Sequence, residues 1–133
     1  GLLQRVRFEG EVPHRDVRSY FTHADVFVFP SIEETFGIPL LEAMGFDVPV
    51  VVSDCDLDST YRGKCFNPFR EICVNAAQYF NPFDPNSIAQ CVHRILIDAR
   101  LRVQLIAHGK ERVKKYNLEH TTSALIRLFE GGV

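Results

Sequence analysis

Residues 30–49 read PSIEETFGIPLLEAMGFDVP, and the fold turns on how this stretch is read. The apolar run Val26-Phe27-Val28-Phe29 stops at Pro30-Ser31. A loop with Glu33 and Glu34 follows, and then a short segment carrying Glu42. Pro39 suits a first helical position, where its missing N–H would have been unbonded in any case. Leu40, Leu41, Glu42, Ala43 and Met44 are good helix formers, and Gly45 suits the position just past the end. The stretch therefore reads as a strand emptying into a loop and a helix N-terminus. Open α/β sheets take phosphate and ribose at such places.

The chemistry of the turn points the same way. Gly37 lacks a Cβ, so its backbone can approach a ligand closely. The N–H groups around Gly37, Ile38 and Leu40 are expected to face an anion, helped by the helix dipole. Glu34 and Glu42 lie eight residues apart across the turn. Carboxylates accept hydrogen bonds from paired hydroxyls. Two acids flanking a phosphate cradle fit a ligand with sugar hydroxyls on both sides of a diphosphate, a nucleotide sugar.

Outward from this turn, strand and helix patterns alternate. Residues 24–29 read as a strand whose apolar run, Val26 to Phe29, suits a parallel strand covered on both faces. Upstream, Val17, Tyr20, Phe21 and Ala24 recur at helical spacing over 14–23, and a first strand is centred on residues 6–8. Downstream, 49–52 reads as a third strand, 71–77 as a short helix and 78–80 as a short strand. Helices follow to the end. Asn86 or Ser87 caps one whose stripe is Ile88, Val92, Ile95 and Leu96. Asp98 caps another through Leu101, Leu105 and Val113, and Asn117 a last one with Leu125 and Leu128 inward. The fold class is α/β: a Rossmann-like parallel sheet with flanking helices and a mostly helical C-terminal part.

Composition sets the outer bounds. The 133 residues, 46% hydrophobic and 24% charged, make one globular domain over 1–133. A net charge of −2 gives no sign of nucleic acid as a partner. No apolar run approaches the ~20 residues that span a bilayer. The four cysteines at 55, 65, 73 and 91 form no C-x-x-C pair and have no histidine at zinc-ligand spacing, so no metal site is expected. They read as reduced thiols of a cytoplasmic protein, with Cys55–Cys65 as the pair that brackets one loop. That loop, 55–70, has little periodicity, carries Arg62, Lys64 and Arg70, and reads as an insertion.

The run Glu34-Thr35-Phe36-Gly37-Ile38-Pro39-Leu40-Leu41-Glu42 resembles the E-x7-E signature of retaining GT-B glycosyltransferases of group 1 (family 4). The flanking segments Val6 to Gly10, Ala24 to Ser31, Val48 to Asp54 and Glu71 to Pro82 resemble that family's C-terminal, nucleotide-sugar-binding half. The resemblance implies half of a GT-B fold lacking its first two strands, their basic pair and the acceptor-binding N-terminal domain. It implies hexose transfer from a UDP- or GDP-sugar to a glycan, lipid or protein, with no cofactor or essential metal. It leaves room for peripheral membrane association of the whole enzyme.

By the same resemblance Glu34 lies against the donor sugar as the catalytic carboxylate, and Glu42 takes the ribose hydroxyls. Phe36, Gly37, Ile38 and Leu41 complete the donor site. Thr35 and Asp47 stand where the family commonly has glycine, and the turn at Asp47 calls for φ > 0, which Asp tolerates. Two other readings compete: a nucleotide-sugar-binding module without transfer, and a flavodoxin-like interaction domain.

Overall fold

A computed structural model describes residues 1–57, 65–116 and 118–129. Three strands form one sheet: β1 (Phe27–Phe29), β2 (Val50–Ser53) and β3 (Ala77–Phe80), in the order β1-β2-β3 and all parallel. The pairing sets Phe27 opposite Val50, and Val50 opposite Ala77. Parallel neighbours need a crossover, and each here carries a helix. α1 (His14–His23) precedes β1, α2 (Ile38–Gly45) joins β1 to β2, and α3 (Phe69–Cys73) joins β2 to β3. Three helices follow: α4 (Pro85–Ile97), α5 (Ala99–Lys115) and α6 (Leu118–Phe129).

Strand alternation divides the core into two clusters. Val50 and Val52 of β2 point to one face, with Phe27 and Phe29 of β1 and Ala77 of β3. There they meet Leu40, Ala43 and Met44 of α2, Phe69 and Ile72 of α3, and Phe21 of α1. Val51 points to the other face, with Val26, Val28 and Phe80, and packs under Ile95 of α4 and Leu105 of α5. All four residues of β2 are buried, which explains why its sequence is a continuous run without polar alternation. α5 lies along α2 closely enough that a Cβ at Gly109 would sit 3.1 Å from Met44 Cγ.

Several boundaries differ from the sequence reading. No strand forms at 6–8; a 3-10 turn covers Leu2–Arg5, and Val6 and Phe8 are exposed. Among the described residues no strand lies beside this segment, and a ladder needs a partner. β1 starts at Phe27, because the N–H of Ala24 closes α1 on the Phe21 carbonyl. α3 runs Phe69–Cys73 and stops where Val74 adopts φ 52°, freeing Ala77 to open β3. α2 is shifted by one residue, with Gly37 as its cap and Gly45 its last member.

Asp84, not Asn86 or Ser87, caps α4, and Pro85 takes the first helical position. Ser87 Oγ instead accepts from the Asn81 N–H. Tyr20, Leu96 and Leu125 are exposed rather than inward. Asp47 does adopt φ 60°, as the turn requires. Cys55 and Cys65 are joined by a disulfide, so these two are not reduced thiols; Cys73 and Cys91 are free. The expectations on Arg62, Lys64, Asn117 and the Leu128 side chain fall outside the described residues. Among the described residues, no helix is long and apolar enough to cross a membrane.

Candidate functional site

The turn after β1 is built from the core upward. Gly37 is buried and holds φ 87°, a left-handed conformation that lets the chain turn sharply into α2. Phe29, Phe69 and Leu40 close around it, with Phe69 Cε1 only 2.9 Å from where a Cβ would stand. The Leu40 N–H, expected to face a ligand, donates to the Gly37 carbonyl at 3.0 Å. α2 therefore starts with one of its amides already spent inside the turn.

Four of the predicted site residues share one wall. Phe36, Ile38, Leu41 and Glu42 line an open cavity of about 670 Å³ together with Tyr116 and Thr121. Its lining is mostly apolar, and Ile38 is 61% exposed into it and to solvent. Glu42 also borders a second hollow of about 130 Å³ with His14, Val17, Arg18, Phe21 and Phe46. Glu42 thus borders two depressions, one with residues of α1 and one with Tyr116 and Thr121.

Glu34 is placed differently. It is not part of either wall. Its N–H donates to the Phe66 carbonyl at 3.0 Å, and the Phe66 N–H donates to the Ile32 carbonyl at 2.9 Å. Glu33 and Phe66 form a short parallel bridge of their own, outside the sheet. Among the described residues neither Glu34 nor Glu42 forms an ion pair. No three His, Cys, Asp or Glu side chains among them cluster as metal ligands would.

The structure also adds residues the sequence did not flag. Tyr116 packs edge-on against Phe36 with ring centroids 5.5 Å apart, and Arg112 lies over the Tyr116 ring. Arg112 also donates to the carbonyls of Ile72 and Glu71, satisfying the last turn of α3. Nothing local links α5 to the 36–42 turn, so only packing could reveal this chain of contacts.

At the end of β2, Asp54 is buried and its carboxylate accepts from Arg70 and from the Asp56 N–H. Arg70 also lies 4.5 Å over the Tyr79 ring. The Asp54 hydrogen bond raises the Arg70 guanidinium above its ordinary value, so Arg70 stays charged.

Comparison with known proteins identifies the family. The family profile described as glycosyl transferases group 1 matches residues 1–98. The chain belongs to the group 1 glycosyltransferases. It is 35% identical to the O-antigen chain mannosyltransferase RfbU of Salmonella typhimurium over 71% of this chain and 24% of that protein. It is 30% identical to the phosphatidyl-myo-inositol mannosyltransferase of Mycobacterium leprae over 98% of this chain and 33% of that one.

The fold of this glycosyltransferase domain superposes on sucrose-phosphate synthase from Thermosynechococcus elongatus with a TM-score of 0.77 and 27% identity. That superposition covers 96% of this chain and 30% of the synthase. The chain therefore spans about a quarter to a third of the length of the relatives it matches.

Proposed function

We propose that this chain is the donor-binding part of a retaining glycosyltransferase that moves a hexose from a UDP- or GDP-sugar to a glycan, lipid or protein acceptor. The observation that carries the reading is Glu42, held by the first turns of α2 in the wall of the cavity lined by Phe36, Ile38 and Leu41. A carboxylate there can accept from both ribose hydroxyls, while the apolar lining shields the base or sugar face. The mannosyltransferase names of the relatives support a hexose as the group transferred.

Glu34 would stand beside the donor sugar, where a fixed carboxylate stabilises positive charge developing at the anomeric carbon. The acceptor would enter from the portion of the enzyme that corresponds to the rest of the relatives' length. Helix dipole and basic side chains, rather than a metal, would balance the leaving diphosphate.

One observation favours binding without transfer within this chain: Glu34 does not share the cavity that Glu42 lines. Catalysis requires both the sugar and an acceptor held in place.

Calorimetric titration with UDP and GDP tests the reading. Saturable binding of at least one nucleotide is expected, weakened about tenfold by Glu42→Gln, since a charge-assisted bond to a hydroxyl pair is worth ~1.5–3 kcal/mol. Absence of binding to both nucleotides at concentrations of ~1 mM would sink it.

A further inference from the structure

We propose that the Cys55–Cys65 disulfide is a clamp that positions the Glu33–Glu34 loop, and that a dithiol reductant releases it and weakens ligand binding beside it. What the loop binds rests on the reading above; the clamp itself does not.

The disulfide joins the residue one past Asp54, at the end of β2, to the residue just before Phe66. Phe66 is the partner of the acidic loop: it donates to the Ile32 carbonyl at 2.9 Å and accepts from the Glu34 N–H at 3.0 Å. Cys55 approaches the same carbonyl, with its Sγ 3.9 Å from the Ile32 oxygen. The disulfide therefore joins two segments that both meet the loop at Ile32.

Asn67 ties the sulfur to the rest of the loop. Its Nδ2 donates to Cys55 Sγ at 2.9 Å and to Ser53 Oγ at 3.3 Å. The Ser53 hydroxyl donates to the Ser31 carbonyl, and the Ser31 hydroxyl donates to the Glu33 carbonyl at 3.0 Å. The path from disulfide to acidic loop is continuous in hydrogen bonds.

A bridge of two backbone bonds standing outside a sheet is weak alone, because two short strands without further neighbours are marginal in water. Closing the segment covalently removes conformations in which Phe66 leaves Ile32 and Glu34. Cys55 and Cys65 are only partly buried, so a dithiol can reach them. Cys73 is buried in the core, away from this chemistry.

Release follows ordinary exchange. A thiolate of the dithiol attacks one sulfur, and the protein S–S bond breaks as a mixed disulfide forms. The second thiol of the reductant then displaces the remaining cysteine. Two electrons pass to the protein, the reductant becomes a disulfide, and its two protons end on the Cys55 and Cys65 thiols.

Amide hydrogen exchange on the chain, oxidised and then reduced with dithiothreitol, tests the clamp without any ligand. Protection at Glu34 and Phe66 is expected to fall about tenfold on reduction and to return on reoxidation, while Val51 and Val52 keep theirs. Unchanged protection at Glu34 and Phe66 would overturn the proposal. So would a fall that spreads equally to Val51 and Val52, which would make the disulfide a general staple. A Cys55→Ser, Cys65→Ser double variant should behave as the reduced chain, and the reduced wild type serves if that variant does not fold.

Titration with GDP-mannose and UDP-glucose then reads positioning. The better ligand should bind at least about threefold more weakly to the reduced chain, a difference near 0.7 kcal/mol. Equal affinity in the two forms would overturn the positioning role. Failure of both sugars to bind either form would sink the donor-site reading and the ligand half of this proposal, while exchange at Glu34 and Phe66 still decides the clamp.

Discussion

Gly37 shows how much one residue type can determine. Its φ of 87° lies where L side chains are strained, and a Cβ would stand 2.9 Å from Phe69 Cε1 and 3.2 Å from Leu40 Cδ1. Gly37→Ala therefore has to displace two buried apolar side chains as well as hold an unfavourable backbone. We expect it to lower stability by about 2 kcal/mol, read as a shift of the urea midpoint with unchanged slope. An effect within about 0.5 kcal/mol would mean the turn relaxes freely.

The residue scale also shows where sequence stopped. Spacing pairs Glu42 with Glu34, yet the fold sets Glu42 in a cavity wall and Glu34 against the Phe66 backbone. Spacing along a chain fixes which residues share a turn, and not which way each side chain leaves it.

At the scale of elements, the Asp98 cap is legible from its own side-chain chemistry. Asp98 accepts from the N–H groups of Arg100 and Leu101, both at 3.0 Å, and so starts α5 where the sequence placed it. Its own N–H closes α4 on the Arg94 carbonyl, so one residue ends one helix and starts the next. Asp98→Ala is expected to cost about 1 kcal/mol in urea unfolding, with Asp98→Asn restoring most of it.

Asp84 caps α4 in place of Asn86 or Ser87, and an aspartate directly before a proline is itself a strong start signal. The segment at residues 6–8 has strand-like residues and no strand, because pairing is a property of neighbours and not of the segment.

The whole molecule is held by one buried strand with a cluster on each face, and its stability carries a pH signature. Burial pushes the Cys73 thiol from its ordinary value of 9.0 up to about 12, and burial also raises the Tyr79 phenol. Above pH ~9 the unfolded chain sheds these protons while the folded chain keeps them. Stability is therefore complete below that pH and falls as pH rises towards 12, by up to ~1.4 kcal/mol per pH unit for each proton. Urea midpoints at pH about 8 and about 10.5 should show the decline, and Cys73→Ala should lessen it while leaving the Tyr79 part. A midpoint that holds steady between those values would show that the unfolded chain keeps these groups shielded.

The sequence by itself determined the alternation of strand and helix, the parallel sheet, the turn at 30–49 and the family signature within it. These follow from apolar periodicity and from glycine and proline chemistry, which act over a few residues. Only the tertiary structure decided that Tyr116 meets Phe36, that Cys55 finds Cys65, and that Phe66 rather than open solvent faces the acidic loop. Those contacts depend on where the folded backbone brings separate segments together, which local periodicity and turn chemistry do not specify.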